Sequence, residues 1–110
     1  MSQSSFVYDI HARFCRVIAN PHRLRILALL EGGERSVSEL ADEIGISVAN
    51  VSQHLRVLRD SHVVKTRRDA RTVFYSLTDR RLPKVCRSIR AILVEGMKKR
   101  GETMMNFEDY

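Results

Sequence analysis

Between residues 5 and 18 the apolar positions Phe6, Ile10, Phe14, Val17 and Ile18 recur at i, i+4, i+8, i+11 and i+12, which gathers them on one side of a helix. Asn20 and Pro21 then supply a cap and a proline suited to the first position of a second helix. In that helix Leu24, Leu27 and Ala28, and likewise Ile26, Leu29 and Leu30, repeat at i, i+3 and i+4 up to Gly32 and Gly33. So much of its circumference is apolar that it is expected to be buried. Ser36 and Glu39 have the spacing of a capping box for a short third helix over Val37–Ile44, which Gly45 ends, and Ile46 is expected to anchor the following turn in the core. Ser47 caps a fourth helix in which Val51, Leu55 and Leu58 form a stripe at i, i+4 and i+7. Two short helices joined by so tight a turn predict a helix-turn-helix.

After His62 the period changes from helical to extended. The stretches 63–67 and 72–77, rich in β-branched and aromatic residues, predict two strands of a hairpin around Arg68, Asp69, Ala70 and Arg71. No glycine lies in that loop, so its turn type is open. A fifth helix over about residues 80 to 98 follows from the stripe Leu82, Val85, Cys86, Ile89, Ile92 and Leu93, with Pro83 tolerated in its first turn. The expectation is a mainly α chain: a winged helix-turn-helix of about five helices with a two-stranded antiparallel wing. It is read as a single domain over residues 1–110, with loose ends at 1–4 and 101–110.

Charge adds a partner to this outline. Residues 47–81 hold eight Arg and Lys (Arg56, Arg59, Lys65, Arg67, Arg68, Arg71, Arg80, Arg81) against Asp60, Asp69 and Asp79, a net of +5 out of +6 for the whole chain. A basic excess alone points to a polyanion, either nucleic acid or an anionic membrane surface; its coincidence with a helix-turn-helix favours DNA. No apolar run reaches the roughly 18 residues of a membrane span, and MSQSSFVYDI lacks the charged and apolar regions of a signal peptide, so a cytoplasmic protein without membrane partners is expected. Glycine-rich phosphate loops, nucleophile elbows and paired carboxylates are not evident, which argues against an enzyme.

In a helix-turn-helix the first helix braces the second, whose N-terminal half enters the major groove. Opposite the apolar stripe of the fourth helix stand Ala49, Ser52, Gln53 and Arg56, with Asn50 toward one edge and Ser47 at the start. Asn and Gln pair with adenine edges, Arg reaches guanine or phosphate, and small residues admit the backbone. Asn50, Ser52, Gln53 and His54 are candidates for groove or nearby backbone contacts, and Arg56 for phosphate. His54 has a second open reading, as a packed structural histidine. On the wing, Arg67, Arg68 and Arg71 are candidates for phosphate or minor-groove contacts, which add affinity more than sequence choice.

The stretches ANPHRLRILALL (19–30), SVSELADEIGISVANVSQHLRVLRDSHVV (36–64) and KTRRDARTVFYSL (65–77) resemble the ArsR/SmtB family of winged-helix repressors over about residues 10 to 95. The resemblance implies a homodimer formed by the first and last helices, bound to an imperfectly palindromic double-stranded operator and released by an inducer. The stripes on those helices, which a lone chain leaves exposed, fit pairing across a two-fold axis. Simple intrachain core is the other reading of the fifth-helix stripe.

The resemblance also directs attention to cysteine and histidine. The family's Cys-x-Cys motif falls on Ser36 and Ser38, and Arg81 and Ile92 stand where histidines of its last-helix zinc site belong, leaving Asp79 and Glu95. What remains is Cys15, with His11 one turn earlier, and Cys86. Three readings stay open for them: packing as small apolar residues, a thiol redox or sulfur switch between Cys15 and Cys86, and a metal or metalloid site of His11, Cys15 and Cys86. No cofactor is required by any of these residues. His22 is read as a surface residue at a helix start, and Met97, Met104 and Met105 as adaptable packing. The rival to an inducible repressor is an architectural or partner-binding protein that binds DNA without an effector.

Overall fold

A computed structural model describes residues 3–102. Helix α1 spans Gln3–Ile18. Helix α2 spans Pro21–Leu30, entered through Asn20, whose extended backbone lets Oδ1 accept from the N–H groups of His22 at 2.9 Å and Arg23 at 3.2 Å. Two of the donors that every helix start leaves without intrahelical partners are thereby satisfied, while Pro21 has none to satisfy. Helix α3 spans Val37–Ile44 and carries the complete capping box: Glu39 N–H donates to Ser36 Oγ at 3.2 Å and Ser36 N–H to Glu39 Oε1 at 3.0 Å. Gly45 turns the chain with φ +82°, and Arg25 of α2 donates to the carbonyls of Ile44 and Glu43 at the end of α3. A cation there also suits the negative end of the helix dipole.

Helix α4 spans Val48–Asp60, capped by Ser47 Oγ, which accepts from Asn50 N–H at 3.1 Å. Its exit is a Schellman arrangement: Val63 N–H donates to Leu58 O at 2.8 Å and His62 N–H to Arg59 O at 3.0 Å, with His62 at φ 60° where glycine is usual. Leu58 and Val63, which flank that turn, are both buried.

The wing extends further than its loop suggested. Strands β2 (Val64–Asp69) and β3 (Thr72–Leu77) pair in register from Val64↔Leu77 to Asp69↔Thr72, which leaves Ala70 and Arg71 as a two-residue turn. Arg68 and Asp69, expected in the loop, belong to β2. Ala70 has φ 55° and Arg71 is not positive, the φ pattern of a type II′ turn. A third strand, β1 (Arg35–Ser36), pairs with β3 and gives the order β1-β3-β2. Two residues carry no periodicity, so only the tertiary pairing reveals it.

The contacts divide the chain between Arg80 and Arg81 into two compact units. In the first, Ile26, Leu27 and Leu30 of α2, Leu40 and Ile44 of α3, and Val51, Leu55 and Leu58 of α4 form the core, closed at the sheet by Val63, Val64 and Leu77. Helix α2 is buried along that one face and not all round, since Ala28 is exposed and Leu24 and Leu29 are half-buried. The second unit is built on α5, Leu82–Lys99, with proline in its first turn and Lys98 and Lys99 in its last, where cations complement the dipole. Cys86 and Met97 are buried, whereas Val85, Ile89, Ile92 and Leu93 are exposed. Of the ends expected to be loose at 1–4 and 101–110, residues 3 and 4 belong to α1, while 1–2 and 103–110, with Met104 and Met105, lie outside the described residues. Among the described residues no helix is long and apolar enough to cross a membrane.

Candidate nucleic-acid interface

Helix α4 is held from behind by α2 and α3. Val51, Leu55 and Leu58 are each 0% exposed, and burying side chains of that size contributes about 1.5–3 kcal/mol apiece. With that stripe fixed, helical geometry leaves Ala49, Asn50, Ser52, Gln53 and Arg56 exposed, and the structure places all five so. Ser47 is exposed as well, but its hydroxyl is engaged in capping.

His54 takes the other course. It is half-buried, and its Nδ1 accepts from Arg23 Nε of α2 at 3.1 Å, with the His22 ring 5.6 Å away between centroids. Burial, then the nearby Arg23 cation and His22, lower its pKa from the ordinary 6.5 and favour the neutral form that can accept. Arg23 also donates through Nη1 to the carbonyl of Val17 at 2.7 Å, so one guanidinium links α1, α2 and α4. His22, expected at the surface, is half-buried with Nδ1 enclosed and without a hydrogen-bond partner. Residues 22 and 23 were missed as parts of the site because 31 residues separate Arg23 from His54 and no spacing rule connects them.

The wing arginines divide similarly. Arg67 forms a two-pronged ion pair with Glu34, Nη2 to Oε1 at 2.5 Å and Nε to Oε2 at 3.2 Å, and its guanidinium lies 5.0 Å from the Phe74 ring centroid. The hydrogen bonds and charge of Arg67 hold the Glu34 carboxyl below its ordinary range and raise Arg67 in return. Arg67 therefore ties the wing to the loop after α2, while Arg68 and Arg71 stand exposed toward the tip. At the wing's base, Thr78 Oγ1 donates to His62 O at 2.7 Å, fastening β3 to the exit of α4. Arg80 donates to Glu31 O at 2.8 Å. Arg67 and Arg80, both counted in the basic block, are thus engaged within the chain, and the carboxylate of Glu34 offsets the charge of Arg67.

Cys15 is exposed on α1 and His11 is exposed one turn before it, whereas Cys86 is buried on α5; both cysteines stand as thiols. Among the described residues no group of three or more His, Cys, Asp or Glu is placed to hold a metal ion. A groove of about 340 Å³ lies between α1 and the end of α4, lined by Ile10, Arg13, Phe14, Val17 and Ser61. On α1 itself Phe6, Val7, Tyr8 and Ile10 are exposed.

Against known proteins, residues 18–67 match a helix-turn-helix domain. The chain is 35% identical over 99 residues to the HTH-type transcriptional regulator Rv0081 of Mycobacterium tuberculosis, covering 89% of this chain and 87% of the relative. It superposes on the crystal structure of Rv0081 with a TM-score of 0.75 at 36% identity, over 86% of this chain and 95% of that one. It is 38% identical over 84 residues to the transcriptional repressor SmtB homolog of Synechocystis, over 76% of this chain and 64% of the relative. A third likeness is to the homodimeric winged helix-turn-helix domain Mb0332 of Mycobacterium bovis, described as a possible ArsR-family regulator, with a TM-score of 0.73, 26% identity and coverage of 86% and 88%.

Proposed function

The chain belongs to the ArsR/SmtB family of winged-helix transcriptional repressors, and from that membership we propose that it works as a homodimer that binds double-stranded DNA and represses transcription. It is a regulator and not a catalyst, and the cytoplasm is its place of work. The observation that carries the reading is the two-sidedness of α4: a stripe wholly withdrawn from solvent sets the helix, and the opposite face offers Asn50, Ser52, Gln53 and Arg56 to a groove. Asn50 and Gln53 read base edges, Ser52 and Ala49 allow close approach, and Arg56 meets phosphate. Arg68 and Arg71 carry the wing's share of backbone or minor-groove contact. Arg67 and His54 serve this surface by bracing it, through Glu34 and Arg23.

The dimer buries the apolar side chains that α1 and α5 each leave exposed, Phe6 and Ile10 on one and Ile89, Ile92 and Leu93 on the other. Two copies of α4 then address two half-sites, one turn of DNA apart, which makes an imperfect palindrome the expected operator. Release by thiol chemistry rests on Cys15, which is open to an oxidant on α1, and on Cys86, which is buried on α5.

Competition between a duplex selected from a random library and an arbitrary duplex tests the reading. The selected site is expected to bind at least about a thousandfold more tightly, with equal binding of both overturning a sequence-specific repressor in favour of an architectural protein. Gln53→Ala is expected to flatten base preference near one end of each half-site, and Arg68→Ala to weaken all duplexes alike. Identical preference profiles for the two variants contradict that division of labour.

A further inference from the structure

One apolar side chain at the N-terminal end of α4 is not enclosed by the core. Val48 opens the helix, three residues before Val51 of the buried series Val51, Leu55 and Leu58 and four before Ser52 of the exposed face, which places it on the border between the two. Each of that series is 0% exposed; Val48 is 50% exposed. Val48 therefore stands at the edge of the core, in the first helical turn. A single exposed valine elsewhere on a protein surface is ordinary. Here its position decides, because the first residues of such a helix are those that enter the major groove.

Three features strengthen the point. Ser47 ahead of it is occupied in capping, its Oγ accepting from Asn50 N–H at 3.1 Å. Ala49 behind it is exposed and small, so the backbone meets little obstruction on approach. Val48 itself is β-branched, which restricts χ1 and keeps its two methyl groups close to the backbone. The major groove offers one apolar feature that distinguishes bases, the C5-methyl group of thymine.

We propose that Val48 is a specificity residue that selects thymine at one position of each half-site by packing on its C5-methyl group. The inference rests on the DNA-binding reading above and adds to the polar contacts of Asn50 and Gln53 an apolar one that hydrogen bonding cannot supply. Cytosine lacks that methyl group and is discriminated against at the same position.

The test uses the full chain and a duplex selected by the wild-type protein from a random library. Thymines of each half-site are replaced one position at a time by deoxyuridine, which removes only the methyl group. For wild type, one such position is expected to weaken binding about fourfold per half-site, the factor corresponding to one methyl-sized group withdrawn from water. Val48→Ala is expected to bind the thymine and deoxyuridine duplexes equally at that position, while its circular dichroism and thermal midpoint match wild type. A deoxyuridine penalty of the same size in wild type and Val48→Ala, or no position with a penalty, overturns the assignment and leaves the DNA-binding reading standing. A library that yields no enriched duplex overturns that reading, and this inference with it.

Discussion

His54 illustrates how a half-buried side chain of α4 is engaged by a neighbouring helix. Its lone pair on Nδ1 receives Arg23 Nε at 3.1 Å, and a protonated imidazole cannot accept that bond. Because its folded pKa is lowered from 6.5, the unfolded chain binds the proton more readily than the folded one. His54 thus contributes stability that is present above about pH 6.5 and is lost as the pH falls through the lowered folded value. The urea midpoint is expected to drop between pH 7.5 and 5, and His54→Gln to flatten that drop. An unchanged pH profile in the variant counts against the Arg23–His54 link as its source. The Glu34–Arg67 pair differs in kind: its partners are 38% and 54% exposed, so it orients the wing at small stabilising effect.

At the scale of elements, two turns hold side chains in conformations that suit glycine. His62 at the exit of α4 and Ala70 in the wing both have positive φ, which costs an L-residue about 1–2 kcal/mol. Glycine relieves that strain and gives back part of it as extra freedom in the unfolded chain, about 0.4–1 kcal/mol. His62→Gly and Ala70→Gly are each expected to raise stability by up to about 1 kcal/mol, read from denaturant midpoints at constant m-value. A loss in either variant means that the side chain makes a contact worth more than the strain. The β2–β3 hairpin sets the direction of Arg68 and Arg71, so relief at Ala70 is not expected to change which duplex is preferred.

For the whole molecule, charge and association govern behaviour. If Arg56, Arg68 and Arg71 of two copies each neutralise a phosphate, the logarithm of affinity falls against the logarithm of salt concentration with a slope of about −5. A slope near zero between low and physiological salt contradicts the electrostatic assignment. Ile89→Asp, on the exposed stripe of α5, is expected to give a monomer in sedimentation and to weaken operator binding by orders of magnitude, because a single half-site loses its tethered partner. A dimer that survives this change places the interface elsewhere.

Local chemistry was enough to read the helices, their caps and the strand pair, since Asn20, Ser36 and Ser47 act on neighbours two or three residues away and apolar spacing names the buried stripe of α4. The outward face of that helix was legible for the same reason. What a linear pattern cannot express is contact between distant residues. Whether Arg67 reaches outward or folds onto Glu34, whether His54 faces a groove or Arg23, and whether Val48 completes the core or overhangs it were decided only when α2, α4 and the wing came together. Spacing determines which side of a helix a residue occupies; the edge of the packed core and the charges that happen to lie across from it determine what that side chain is free to do.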